Sequence, residues 1–253
     1  MSVDPYLAFV GFYNDWSPQM EGDIEFYTKL ALDAGGPIVE LGVGAGRIAI
    51  PISLAGVDVI GVDVSEAMLT EGKRRAEDAG VGNRITWMHE DMKSFVADPP
   101  VGLVTIPFRS FLHMATTDDQ LGCLASARRS LRPGGRLALN VFVPDPEYIV
   151  GFEGKRRLID EFTDEHGRRN ELWHEPRYEI ATQALHLKAM CDTYEGDRLV
   201  DVQEAFVELR MIHRYEMEHL LIRAGFEIEA LYGWFDERPF TQESREMVWV
   251  ART

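Results

Sequence analysis

Three glycines at spacing two, Gly42, Gly44 and Gly46, stand in the stretch VELGVGAGR (residues 39–47). Glycine takes left-handed backbone without strain and lets a ligand come close to the main chain. A helix following such a loop adds unpaired N–H groups and a partial positive charge. This is the chemistry of a nucleotide cradle. A dinucleotide fingerprint, G-x-G-x-x-G, would need glycine where the chain has Arg47. Asp63 lies about twenty residues beyond the loop at a strand tip, where a carboxylate accepts both hydroxyls of a ribose. Its competing role is that of an exposed strand-end aspartate. At the next strand tip, HEDM, Asp91 is placed to accept from an exocyclic adenine amine, and the N–H of Met92 to donate to the ring. The segment FRSFLHM (108–114) offers His113 as an acid/base or orienting group. Arg109 in the same segment either binds an anionic substrate group or forms a structural ion pair. His213, Arg214 and Tyr215 make a third polar cluster, facing either substrate or solvent at a helix start.

These residues need elements to hold them. Residues 19–32 read as a helix, with Ile24, Tyr27 and Ala31 at helical spacing. PIVEL (37–41) reads as a short buried strand and VDVIGV (57–62) as a second. Ser65 caps a helix carrying Met68 and Leu69, and residues 84–89 form a third strand. VGLVTIP (101–107) is almost continuously apolar, as a central parallel strand should be. Thr117 opens the next helix, LRPGG (131–135) stops it, and residues 136–143 form a fifth strand. The strand–helix alternation predicts a parallel, doubly wound sheet. From residue 144 to 213 the alternation stops. Alternating runs punctuated by Gly167 and Gly196 read as antiparallel hairpins. RYEMEHLLIRA (214–224) is an amphipathic helix, followed by two strands joined as a terminal hairpin.

The domain expectation is therefore an N-terminal helical lid over residues 1–36, a nucleotide-binding domain over 37–145 and 214–253, and an inserted antiparallel sheet over 146–213. The aromatic N-terminal residues, Tyr13 among them, either pack on the body or close over a ligand. The inserted sheet either covers the crevice or forms a homodimer surface. The chain has 253 residues, 45% of them apolar, enough for a sizeable core. Its 42 acidic and 26 basic residues give a net charge of −16, which repels phosphate backbones and anionic membranes and favours a small-molecule substrate. The two cysteines, Cys123 and Cys191, sit among apolar neighbours without a zinc-type spacing, so no metal is expected. No signal peptide or membrane-length apolar run is read, and the expectation is a cytoplasmic protein.

Taken in order, VELGVGAGR, GVDVSEAM, HEDM, LRPGGRLALNVF and HLLIRAGFEIEALYG resemble the successive motifs of the class I S-adenosylmethionine-dependent methyltransferases. The resemblance covers roughly residues 20–145 and 214–253. It implies a Rossmann-like α/β fold with a seven-stranded sheet, parallel except for one antiparallel strand from the terminal hairpin. It implies S-adenosylmethionine as cofactor, with Gly42, Gly44 and Gly46 along its methionine part and Glu40 fixing the loop. Asp63 would take the ribose hydroxyls, Val64 and Met68 would pack on the adenine, and Asp91 and Met92 would read its edge. Pro107 and Phe108 would floor the sulfonium. Arg47 either holds the cofactor carboxylate or pairs with an acid on the surface, and Tyr13 would reach that carboxylate from the N-terminal segment. Arg109, His113 and Tyr215 are then the candidates on the side of a small acceptor, methylated on nitrogen or oxygen. Within the superfamily the chain looks most like amino-sugar and natural-product N-methyltransferases.

Two rivals accompany this reading. A nucleotide-dependent oxidoreductase is disfavoured by Arg47 and by LRPGG. A non-catalytic cofactor-binding or partner subunit keeps every motif, because methyl transfer has no obligatory catalytic signature.

Overall fold

The computed structural model describes residues 20–145, 147, 149, 151, 153–164 and 166–253. Tyr13 and the aromatic N-terminal segment before residue 20 lie outside them. The chain divides into two compact units. One comprises residues 20–143 and 212–253, and the other residues 1–19 and 144–211.

The larger unit is built on a seven-stranded sheet. In chain order its elements are α1 (Asp23–Ala34), β1 (Ile38–Leu41), α2 (Ala49–Leu54), β2 (Val59–Asp63), α3 (Glu66–Asp78), β3 (Ile85–His89), β4 (Val101–Ile106), α4 (Thr117–Ser130) and β5 (Leu131–Phe142). After the second unit come α5 (Arg214–Arg223), β10 (Glu227–Tyr232) and β11 (Glu246–Arg252). The strand order is β10-β11-β5-β4-β1-β2-β3. Only β11 runs antiparallel to its neighbours, β10 and β5, as the motif order implied. All four residues of β1 are buried. A strand covered on both faces needs apolar side chains throughout, so the polar Glu40 in its middle stands out.

The alternation of strands and helices put most elements where they are found, and the edges differ for local reasons. LRPGG does not stand outside the fifth strand. Leu131 already pairs with Val101, and the next partners are Leu103 and Arg136, so the Pro-Gly-Gly stretch bulges out of the strand. Helix α1 begins at Asp23 and ends on Gly35, whose φ of 68° suits the left-handed cap. Phe26 and Tyr27 on its buried face meet Phe235 edge-on or tilted, anchoring this helix to the unit.

The smaller unit contains a four-stranded antiparallel sheet, β6 (Arg157–Thr163), β7 (Arg169–Glu179), β8 (Ala184–Glu195) and β9 (Arg198–Arg210), in sequential order. Gly167 and Gly196, at φ 76° and 61°, sit in its hairpin turns. Asn170, Asp192 and Thr193 are buried polar residues within its strands. Asp192 holds an ion pair with Arg156, whose guanidinium also lies over the Trp173 ring. No described helix is long and apolar enough to cross a membrane.

Candidate functional site

The sheet order reverses between β1 and β4, so the loops leaving these two adjacent strands diverge and open a crevice at their carboxyl ends. Both loops are made of sequence-predicted site residues. The first contains Gly42, Gly44 and Gly46, with φ of 73°, 53° and 80°. It hangs on β2, because Gly42 and Val43 both donate their N–H to the Val62 carbonyl. Two of the glycines are also required by their neighbours. A Cβ on Gly42 would lie 2.7 Å from the Ser110 side chain, and one on Gly46 would lie 2.9 Å from Trp87. Gly44 differs: among the described residues, a Cβ there meets nothing within 4 Å. Among them its backbone faces open space, as a ligand-approach point requires.

Asp63, at the tip of β2, fixes this loop. One carboxylate oxygen accepts the Gly44 N–H at 2.8 Å and the other accepts the Ser65 N–H at 2.9 Å. The Gly46 N–H goes to the Val43 carbonyl, and α2 starts only at Ala49. The loop therefore presents an approachable main chain more than a nest of free N–H groups.

Along the next two strand tips the predicted adenine residues line up. Val64 is half exposed at 49%, Met68 is buried one turn into α3, and the His89 ring nitrogen Nε2 lies 2.9 Å from the Val64 carbonyl. Asp91 turns back to accept the Lys93 N–H at 2.9 Å, and Lys93 also reaches Asp119 at 2.8 Å. Met92 is buried, and its methyl group is 3.3 Å from the Cβ position of Gly42.

Beneath the glycine loop lies a buried charged cluster. Arg47 forms a two-pronged ion pair with Asp23 on α1, a buried acid and not the surface acid expected as one alternative. Its guanidinium also stacks over the Phe108 ring at 4.5 Å. Glu40, 1% exposed, is pushed up to about 8 by desolvation, with nearby Arg47 pulling the other way. Among the described residues, its Oε2 and the Arg47 Nε are buried polar atoms without a hydrogen-bond partner.

The second loop reaches left-handed backbone with side chains instead of glycines. Phe108 and Arg109 have φ of 53° and 66°. Such consecutive conformations are costly for non-glycine residues and persist only where the surroundings fix them. Arg109 donates Nε and Nη2 to Glu246 of β11 at 3.1 and 2.8 Å, the ion-pair alternative foreseen for it. Pro107 is buried. His113 ends the short 3₁₀ turn Ser110–His113, and burial pushes it down to about 4, so the imidazole is neutral near pH 7. Tyr215, in contrast, is 64% exposed in the first turn of α5, with Arg214 over its ring at 5.0 Å.

Sequence reasoning missed four residues here: Asp23, Tyr27 as a hydrogen-bonding group, Asn140 and Glu246. The last two carry a signal, since each is a polar residue inside or against a run that must be buried, RLALNVF and EMVWVA. Asp23 carries none beyond helix-start composition.

The fold is one that solved methyltransferase structures share. The family model described as a methyltransferase domain matches residues 38–135, which span the glycine loop, the tips of β2 and β3 and the loop after β4. Among curated proteins, the chain is 32% identical over 159 residues to the 27-O-demethylrifamycin SV methyltransferase of Amycolatopsis mediterranei, covering 60% of this chain and 56% of that one. The chain spans about half the length of the first curated relatives it matches. Among solved structures, the CcbJ methyltransferase from Streptomyces caelestis superposes with a TM-score of 0.79 at 22% identity, over 92% of this chain and 96% of that one. An amino pentose methyltransferase from Micromonospora echinaspora, involved in calicheamicin biosynthesis, superposes with a TM-score of 0.73 at 19% identity, over 96% and 95%. At these identities the two structures establish the shared fold.

Proposed function

We propose that the protein is an S-adenosylmethionine-dependent methyltransferase acting on a nitrogen or oxygen of a small-molecule metabolite. The carrying observation is the crevice loop: left-handed Gly44, open on its ligand side, is tied by its own N–H to the strand-tip carboxylate Asp63. The names of the relatives above, an O-methyltransferase substrate in one and an amino pentose in the other, support a small acceptor of either kind.

The residues fit the cofactor. Gly44 leaves room for it, and the unpartnered Glu40 Oε2 and Arg47 Nε are polar atoms left over beneath the loop. In this reading Asp63 takes the ribose hydroxyls, Val64 and Met68 flank the adenine, Asp91 and Met92 hold its edge, and the glycines run along the methionine part. The bound cofactor supplies an activated sulfonium methyl. The chain's own work is alignment, exclusion of water and control of one proton. Pro107 and Phe108 form the floor that keeps an acceptor in line, and positioning of this kind supplies a large part of the rate. His113, neutral at physiological pH, takes the acceptor proton where the acceptor is a hydroxyl. An amine arriving in its neutral form needs no such base. Arg109 acts through its loop, and Tyr215 contributes from the first turn of α5.

The inserted sheet is proposed as a substrate cover or a homodimer surface. Support for the dimer comes from its edge strand β9, which exposes Phe206 and Val202. Light scattering of the purified protein decides it: a monomer at micromolar concentration rejects the dimer.

Calorimetric titration with S-adenosylhomocysteine tests the main proposal. Micromolar or tighter binding is expected, with at least a tenfold loss in Asp63→Ala. Failure of the wild-type protein to bind rejects the reading. Transfer of label from methyl-labelled cofactor into a metabolite pool, absent in Asp63→Ala, separates an enzyme from a cofactor-binding subunit.

A further inference from the structure

The buried side chains behind the second crevice loop form one continuous chain of hydrogen bonds. Tyr27 on α1 donates its hydroxyl to Asn140 Oδ1 on β5 at 2.9 Å. The same Oδ1 accepts the backbone N–H of Phe108 at 2.9 Å. Asn140 Nδ2 donates to Glu246 Oε1 at 2.8 Å, and Glu246 receives both prongs of Arg109. Tyr27, Asn140 and Glu246 are each fully buried. A buried carboxylate is expensive unless paired and hydrogen-bonded, and here it is both. Burial also holds the Tyr27 phenol well above its usual range, so it stays a donor.

The network ends on the two residues with left-handed backbone, Phe108 and Arg109. Asn140 holds the first by its main chain and Glu246 holds the second by its side chain. The Phe108 ring is fixed separately, under the Arg47 guanidinium that Asp23 pins. Asp23 and Tyr27 are four residues apart on α1, so one helix face secures both attachments.

We infer that Tyr27, Asn140 and Glu246 are positioning residues that hold Phe108–Arg109 in the left-handed geometry that shapes the acceptor side of the crevice. This rests on the methyltransferase reading for its function but on the hydrogen bonds alone for its geometry. The direction of each bond matters. Asn140 must present an acceptor to Phe108 and Tyr27 and a donor to Glu246, and only the amide orientation observed does this.

Hydrogen exchange of the Phe108 amide, measured on the free protein and with saturating S-adenosylhomocysteine, tests the inference. The single variant Asn140→Asp places a carboxylate against Glu246. Roughly tenfold faster exchange at Phe108 is expected, the scale of one lost hydrogen bond. The double variant Asn140→Asp/Glu246→Gln restores a donor opposite the new carboxylate but takes the Oε1 acceptor from Arg109 Nε, so exchange is expected to recover in part, to between the single variant and wild type. Tyr27→Phe, a milder change, should raise exchange by roughly threefold with the central β5 amides as internal reference. S-adenosylhomocysteine affinity should change by less than about threefold in all of them, since no bond to the glycine loop is touched. Unchanged Phe108 exchange in Asn140→Asp, or no recovery in the double variant, overturns the positioning network. Absence of ligand binding by the wild type overturns the methyltransferase reading instead, and the free-protein exchange still decides the network.

Discussion

The two loops that meet in the crevice reach the same unusual backbone by opposite means. The loop after β1 uses glycine at every left-handed position, 42, 44 and 46, where such φ values cost little. The loop after β4 places Phe108 and Arg109 in left-handed backbone and depends on buried polar partners from α1, β5 and β11 to keep them there. The first loop encodes its shape locally. The second borrows its shape from residues more than thirty and more than one hundred positions away. On the proposed reading the cofactor meets the locally encoded loop and the acceptor meets the loop whose shape depends on distant partners.

Substitutions under each loop sharpen this contrast, and the largest effect is expected at Glu40. Its folded-state pKa, about 8, stands above the ordinary glutamate value of 4.5, so the folded protein holds a proton that the unfolded chain releases. Stability then falls as pH rises from about 4.5 to about 8 and is level above. Glu40→Gln, which mimics the protonated form, should match wild type near pH 4.5 and exceed it progressively up to pH 8. The full shift sets a ceiling of about 5 kcal/mol. Urea unfolding at pH 5, 7 and 8.5 measures it. A pH-independent difference between the two proteins would show that Glu40 is ionised in the folded state. Beneath the other loop, Asn140→Ala strips partners from the Phe108 N–H, the Tyr27 hydroxyl and Glu246 at once. A loss of about 3 kcal/mol is expected in the same unfolding experiment. A loss under 1 kcal/mol would mean that the second loop does not depend on its network.

Gly44→Val comes next and is the converse probe. Its site is open, so the fold should tolerate the side chain apart from left-handed strain of about 1–2 kcal/mol. The ligand should not tolerate it: at least about a hundredfold weaker S-adenosylhomocysteine binding is expected, since the side chain enters the approach path, a loss of about 2.7 kcal/mol. Wild-type affinity in a folded Gly44→Val protein would remove the glycine loop from the cofactor site.

Local encoding also decides what the sequence reveals. Spacing and apolar patterning place the β1–Gly42–Gly44–Gly46 unit, Asp63 and the strand–helix alternation, because each depends on a short window and a repeated pattern, whereas the seven-stranded sheet is what the family resemblance implies. The hairpins around Gly167 and Gly196 are legible for the same reason. The three residues that hold the second loop, Tyr27, Asn140 and Glu246, are not. Asn140 and Glu246 can be flagged as polar residues in runs that must be buried, but nothing in a window of ten residues pairs Asn140 with Phe108 or Glu246 with Arg109. Only the β5–β11 register, which sets Val248 against Asn140 and Glu246 against Phe142, brings them together. The same limit applies to Arg47, for which cofactor carboxylate and surface acid were equal readings. Its partner Asp23 lies on a helix whose packing depends on aromatic contacts with Phe235, far along the chain.

His113 supplies the smallest effect and the finest test of the second loop. Burial lowers it from 6.5 to about 4, so the unfolded chain takes up a proton in that window while the folded protein does not. The sign is opposite to that of Glu40. Stability contributed by neutral His113 is complete above about pH 6.5 and is lost as pH falls toward 4. Between pH 7 and pH 5 the loss is about 1 kcal/mol once partial solvent access is discounted. His113→Asn should flatten that segment of the stability curve and leave the segment above pH 6.5 unchanged. The rate profile carries the same sign. If neutral His113 receives the acceptor proton, kcat/KM on a hydroxyl acceptor stays level down to about pH 5 and falls only below it, without the break near 6.5 of a solvated histidine. A break near 6.5 that disappears in His113→Asn would place the ring in water during turnover. That would mean the second loop opens on the acceptor side despite its network, whereas the glycine loop, whose φ values need no partner, would keep its shape.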